Sequence, residues 1–143
     1  MREHALQKMP LEEQINEFLN GLSFAVLGAS PRRHKYGNKV LRCYLQNGRT
    51  AYPINPSVSE VEGVEAYASL SDLPESVHAI SIITPPDVTE QIVEDAIELG
   101  IQHIWMQPGA ESSIAVERAE QAGINVISGG PCLLVVLGYH EAV

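Results

Sequence analysis

Five short apolar runs, each closed by a turn of glycine, proline or their polar neighbours, alternate along this chain with stretches whose apolar residues recur at helical spacing. The runs are Phe24–Leu27, Ala51–Ile54, Ala79–Ile83, Ile101–Met106 and Asn125–Ile127. Between them, Val40, Leu41, Tyr44 and Leu45 recur on one helical face until Gly48. Val88, Ile92, Val93, Ala96 and Ile97 form a second inward face until Gly100, with Asp87 placed to cap that helix. Ser113 to Ala122 reads as a further helix closed by Gly123, and a short helical piece falls near Leu70–Leu73. Strands this short and this apolar are buried on both faces, which a parallel sheet covered by helices provides.

The pattern predicts one doubly wound, Rossmann-like α/β domain with a five-stranded, mainly parallel sheet. Right-handed crossovers leave few arrangements, and 3-2-1-4-5 is the order expected. An extra N-terminal helix is predicted from Pro10 to Leu19, with Leu11, Ile15, Phe18 and Leu19 on one face and Gly21 to end it. Residues 1–9 carry no clear period and read as loose. The expected division is therefore an extension and helix over 1–21 and the α/β domain over 22–143. A length of 143 residues suits one domain, and 45% hydrophobic residues suffice for a core.

No apolar run approaches the roughly 20 residues that span a bilayer. The opening MREHALQKMPLEEQ lacks the apolar centre of a secretory signal. Two cysteines, Cys43 and Cys132, make no disulfide framework, so a cytoplasmic location is expected.

The net charge of -9 argues against general nucleic-acid binding. Its distribution is more telling. Arg32, Arg33, Lys35, Lys39, Arg42 and Arg49 hold six of the nine basic residues, and no carboxylate lies between Glu17 and Glu60. A solvated helix face would explain such a run, but here it coincides with a glycine-marked loop after the first strand.

Ligands of open α/β sheets bind beyond the carboxyl ends of the strands, where the strand order reverses. The tips there read Gly28-Ala29-Ser30, Asn55-Pro56-Ser57, Thr84-Pro85-Pro86 and Gln107-Pro108-Gly109. Each pairs glycine or proline with a neutral hydrogen-bonding residue. Gly28 lets the chain turn close to a ligand. The loop through Tyr36 then enters a helix whose free N–H groups, with Gly37 and Asn38 in the first turn, favour an anion. Arg32, Arg33 and Lys35 add positive charge, so a phosphate or pyrophosphate suits this point. A nicotinamide site would show G-x-G-x-x-G and an acidic residue after strand two; the positions here are Gly28, Ser30 and Arg33, and Tyr52-Pro53-Ile54-Asn55-Pro56 has no carboxylate. A ligand with an added ribose phosphate fits better, which coenzyme A and NADP both satisfy.

The strings GASPRRHKYGN, YPINP, ITPP and WMQPG, in that order over about Leu22 to Cys132, resemble the CoA-binding domain family. That family is a stand-alone form of the N-terminal nucleotide-binding domain of the succinyl-CoA synthetase α subunit. The resemblance implies a Rossmann-like fold and binding of coenzyme A or an acyl-CoA. By position it sets Gly28, Ala29 and Ser30 against the pyrophosphate, with the loop through Tyr36 and Gly37 around it. Asn55 and Pro56 would border the adenosine, and Thr84, Pro85 and Pro86 the pantetheine arm. Gln107 and Gly109 belong to the same edge, and Arg32, Arg33 and Lys35 are expected to meet phosphates. The synthetase's phosphohistidine domain has no counterpart, so His34, His78, His103 and His140 inherit no catalytic role.

No nucleophile elbow, carboxylate pair or metal-ligand spacing appears in the sequence. A non-catalytic binder is the expectation. The alternatives are a small NADP-dependent or CoA-dependent enzyme component needing a partner chain, or a nucleotide-sensing regulatory module. Leu133–Leu137 and the N-terminal helix offer surfaces for a homodimer or protein partner, although core packing also accounts for both. Cys132 is expected to be a small buried apolar residue, with a redox or acyl-accepting role as the sharper alternative.

Overall fold

The computed structural model describes residues 9–141; the expectation for the first eight residues lies outside that range. Helix α1 (Leu11–Leu19) precedes β1 (Ser23–Leu27), α2 (Tyr36–Gln46) and β2 (Thr50–Ile54). A small hairpin, β3 (Glu60–Val61) and β4 (Val64–Glu65), and a 3-10 turn at Leu70–Asp72 lead to β5 (Ala79–Ile82). Then come α3 (Pro86–Glu98), β6 (His103–Met106), α4 (Ser113–Gln121), β7 (Asn125–Ile127) and a π turn at Leu134–Gly138. β1, β2, β5, β6 and β7 form one parallel sheet, and β1 is paired on both sides, with Phe24 opposite Ala51 and Ala79.

The fold class is the one expected, but the strand order is not. It runs β2-β1-β5-β6-β7, or 2-1-3-4-5 counted over the sheet strands, in place of 3-2-1-4-5. The reason sits in β2. Pro53 has no N–H to give a second neighbour, which suits an edge strand. The outer edge of β2 is also taken: Tyr67 N–H donates to the Pro53 carbonyl at 3.0 Å, and Asn55 N–H donates to the Tyr67 carbonyl at 2.9 Å. The next strand must therefore cross to the far side of β1, where Ile80, Ser81 and Ile82 are fully buried. The strand order now reverses between β1 and β5, and the Gln107 tip stands one strand further from β1.

One face of the sheet carries α3 and α4, whose Ile92, Val93, Ala96, Ala115 and Ala119 join the core with Ile80, Ile82 and Ile104. The other carries α1, α2 and Leu133, packed on Phe24, Val26, Trp105 and Ile127. α1, α3 and α4 each bury one stripe and leave the opposite face to water, whereas no residue of α2 is exposed. Asp87 does not cap α3: the cap position is Pro85, with no side-chain hydrogen bond, and Asp87 sits in the first turn. Val88, expected to face inward, is 43% exposed. No helix among the described residues is long and apolar enough to cross a membrane.

α1 is fixed from both sides. Gln14 Nε2 donates to Asn125 Oδ1 and to the Val126 carbonyl, each at 3.0 Å, and Arg49 Nη1 donates to the Leu19 carbonyl at 2.6 Å. Beneath it, the His78 and His103 rings stack with centroids 4.4 Å apart, and His78 Nε2 lies 2.9 Å from the Glu17 carbonyl. Burial, followed by the neighbouring His78, pushes the His103 pKa down, while Glu17 works the other way. A histidine that prefers to be neutral when folded stabilises the fold above the unfolded value of about 6.5, and that stability is lost as pH falls towards the folded value. Tm is therefore expected to drop as pH is lowered from neutrality through 6.5, and the drop should shrink in His103→Asn. Identical profiles for the two proteins would remove His103 as the cause.

Candidate functional site

The tips of β1, β2 and β5 converge around Gly28. This residue adopts φ +97°, and a Cβ on it would meet the Ile83 carbonyl carbon and Thr84 Cγ2 at 3.3 Å. The strand ends approach as closely as a hydrogen atom allows. α2 then begins directly on the β1 tip, because a Cβ on Gly37 would lie 2.0 Å from the Gly28 carbonyl oxygen. Lys35 occupies the α2 cap position with no side-chain cap bond. The first-turn amides of α2 thus have no side-chain acceptor and stand over the loop, the arrangement that attracts an anion.

The loop holds itself in shape. Arg32 N–H donates to Ser30 Oγ at 3.1 Å, and Lys35 N–H donates to the Arg32 carbonyl at 3.1 Å. Ser30 therefore spends its hydroxyl acceptor locally. Arg32, Arg33, His34 and Lys35 are all exposed.

In space the cationic segment is not free of carboxylates. Glu62, from the β3–β4 turn, reaches Arg33 Nη1 with Oε1 at 2.6 Å and accepts from Asn38 Nδ2 with Oε2 at 3.0 Å. Asn38 Nδ2 also donates to the Ser30 carbonyl at 2.8 Å. Arg42, only 5% exposed, donates from Nε to Asn38 Oδ1 and from Nη2 to the Arg33 carbonyl, at 2.6 and 2.7 Å. Lys39 Nζ lies 3.6 Å from Glu141 Oε1. The sequence reading missed Glu62 and Arg42 as supports of the loop. Glu62 has φ +53°, where Asn or Gly is normally found in a two-residue hairpin turn, so a Glu-Gly turn was the available signal.

Asn55 joins the second tip to the first: Nδ2 donates to the Ala29 carbonyl at 2.8 Å, and Oδ1 accepts from Ser57 N–H at 2.7 Å. Between these tips and α3 lies a groove of about 380 Å³. Among the expected site residues, Gly28, Ala29, Asn55, Pro56 and Thr84 line it. Ser69, Leu70, Val88, Gln91, Ile92 and Asp95 also line it; none was expected at the site, Val88 and Ile92 having been read as core-facing. They belong to a connection and a helix face with no motif. Pro85 and Pro86 are exposed at the start of α3 and do not line the groove.

Tyr36 and Gln107 come together in a separate cluster. Tyr36 O–H donates to Gln107 Oε1 at 3.0 Å, and Leu133 N–H donates to the same oxygen at 2.9 Å. Cys132 Sγ lies 2.7 Å from the Tyr36 hydroxyl oxygen; since the phenol proton goes to Gln107, the thiol is the donor. Burial and then Cys132 push the Tyr36 pKa up. Gln107 is fully buried and its Nε2 has no partner, so this side chain ties the β6 tip to the Cys132–Leu133 segment. Cys132 is half-buried rather than enclosed, whereas burial pushes the Cys43 thiol up to about 11. Gly109 stands apart, with its N–H on Glu111 Oε1 at 3.0 Å. Among the described residues, no group of three or more His, Cys, Asp or Glu could hold a metal ion.

Known proteins carry the same domain. Acetate–CoA ligase (ADP-forming) I of Archaeoglobus fulgidus is 29% identical over 119 residues, covering 76% of this chain and 17% of the ligase. The α subunit of the corresponding ligase II of Pyrococcus furiosus is 27% identical over 137 residues, covering 88% of this chain and 30% of the subunit. The chain thus spans less than a third of either enzyme polypeptide. A conserved hypothetical protein of P. furiosus superposes with a TM-score of 0.75 at 38% identity, over 80% of this chain and 97% of that one. The CoA binding domain family matches residues 22–138, nearly the whole described chain, and the protein belongs to that family.

Proposed function

We propose that this domain binds coenzyme A or an acyl-CoA without catalysing a reaction on it. The observation that carries the reading is the seat at the strand-order reversal, where the Gly28 tip, the uncapped start of α2 and the exposed Arg32 and Lys35 adjoin an apolar groove. Phosphates suit the first part and a nucleoside the second. Family membership adds to this support. Ser30, Gly37 and the loop between them would surround the pyrophosphate. Arg32 and Lys35 would supply most of the charge, because Arg33 is engaged with Glu62.

Isothermal titration of ligand-stripped protein tests the proposal. Coenzyme A is expected to bind more tightly than dephospho-CoA and NADP. Arg32→Ala with Lys35→Ala should weaken coenzyme A by roughly tenfold to a hundredfold, since a hydrogen bond to a charged group contributes about 1.5–3 kcal/mol and exposure reduces that. No heat at millimolar coenzyme A would refute the reading, and unchanged affinity in the double variant would remove those two residues from the site.

One further reading has an observation in its favour. The P. furiosus relative is a subunit of an ADP-forming ligase, and this chain corresponds to less than a third of that subunit. On that reading the domain presents its ligand to catalytic groups on a partner chain.

A further inference from the structure

We infer that Tyr139 is a positioning residue for the loop after β1, acting through Arg42 from outside the site. Holding or releasing the segment that carries Tyr139 then tunes ligand affinity; this second step rests on the coenzyme A reading above.

Residues 138–141 run along α2 in the opposite direction. Asn47 Nδ2 donates to the Gly138 carbonyl at 2.9 Å. Gln46 takes both main-chain groups of His140: Nε2 donates to the carbonyl at 2.7 Å, and Oε1 accepts from the N–H at 2.9 Å. Closer to the start of α2, the Tyr139 ring covers the Arg42 guanidinium, with its centroid 5.4 Å from Cζ. Glu141 ends the run beside Lys39 and accepts from the Tyr139 O–H at 2.8 Å. The segment is a strap over α2.

Arg42 carries the effect of the strap to the loop. Long side chains on a helix lean towards its N-terminus. Arg42 accordingly reaches back to Asn38 Oδ1 and, past the start of α2, to the Arg33 carbonyl. Asn38 in turn donates to the Ser30 carbonyl. The two side chains thereby fix both ends of residues 30–33. Arg42 forms no ion pair with a carboxylate among the described residues, and its buried Nη1 has no hydrogen-bond partner. A guanidinium in that state stays out of water only where something replaces its hydration, and the face of an aromatic ring does so. Tyr139 supplies that ring. Without it, water would reach Arg42 and compete for the bonds that shape the loop. The unpaired charge also adds to the attraction of phosphate at the start of α2. Coupling of this kind is reciprocal, so a ligand that orders the loop must also steady the strap.

Tyr139 is half-buried at the rim of the core, so its replacement should leave the sheet folded. Amide exchange is measured in wild type, Tyr139→Ala and Tyr139→Phe, and each rate is taken relative to the β5 amides so that a general loss of stability cancels. In the free protein, the Arg32 and Lys35 amides should exchange about fivefold faster in Tyr139→Ala. Tyr139→Phe keeps the ring and should match wild type. Coenzyme A affinity should fall by about fivefold in Tyr139→Ala and by less than about twofold in Tyr139→Phe. In wild type, saturating coenzyme A should slow exchange of the Tyr139 and His140 amides, which donate to the Leu134 carbonyl and to Gln46. Unchanged loop rates in Tyr139→Ala, or a phenylalanine variant that behaves like the alanine one, overturns the inference. So does coenzyme A that binds and leaves the strap amides as they were. If coenzyme A does not bind at all, the functional reading falls, and the positioning role is decided by the loop rates of the free protein alone.

Discussion

Gly37→Ala is expected to lower stability by about 2–3 kcal/mol and to weaken coenzyme A binding by at least about tenfold, or ~1.4 kcal/mol. Helix propensity alone predicts the opposite sign, because alanine favours a helix over glycine by about 1 kcal/mol. Packing decides the matter. The added methyl group would lie 2.0 Å from the Gly28 carbonyl oxygen, 3.0 Å from its carbonyl carbon and 3.3 Å from Ala29 Cα. All three are main-chain atoms of the β1 tip, so no rotamer change relieves the contact. Either α2 lifts away from the tip or the tip shifts, and both separate the helix amides from the loop they stand over. Urea unfolding and titration calorimetry on the same preparation read the two effects. A variant as stable as wild type would show that α2 is not seated on Gly28.

Trp105→Ala should produce the largest loss of stability, about 3–5 kcal/mol, a sizeable part of the roughly 5–15 kcal/mol that holds a domain folded. Trp105 is fully buried in β6. Its ring meets Phe18 of α1 edge-on with centroids 5.3 Å apart, and its Nε1 donates to the Pro131 carbonyl at 3.0 Å. One side chain therefore joins the N-terminal helix, the sheet and the turn after β7. Truncation would leave a cavity that α1 cannot fill, since its own ties to Asn125, Val126 and Arg49 hold it in place. Trp105→Phe should be intermediate, keeping most of the volume but leaving the Pro131 carbonyl without its donor. Faster amide exchange in α1 than in α4 would locate the damage. A loss below about 1 kcal/mol would mean that this packing is not what holds α1.

Much of the candidate site was legible from local chemistry. Glycine where a strand must turn sharply, and proline where one must stop, marked the tips that the structure gathers at one edge. What local chemistry leaves out is partners that lie far along the chain. Gln107 was expected at the ligand-binding edge, and its amide oxygen accepts from Tyr36 and Leu133. Arg33 was expected to meet phosphate, and the structure adds an ion pair to Glu62 from a hairpin that shows no charge pattern in sequence. The lining contributed by α3 was invisible for a different reason. Gln91 and Asp95 have the spacing of any solvated helix face, and only the position of α3 over the groove makes them part of its lining.

The sequence alone determined the class of the fold, because apolar runs and helical periodicity state which surfaces each segment must bury. It also determined where the chain turns, since the backbone freedom of glycine and the missing N–H of proline act within a few residues. Tertiary structure decided the order of the strands and the composition of the groove. Both depend on which edges and faces are already occupied when distant segments meet: the Tyr67 segment fills the outer edge of β2 and sends β5 across β1. That competition for pairing partners acts between residues far apart in the chain, and no local pattern records its outcome.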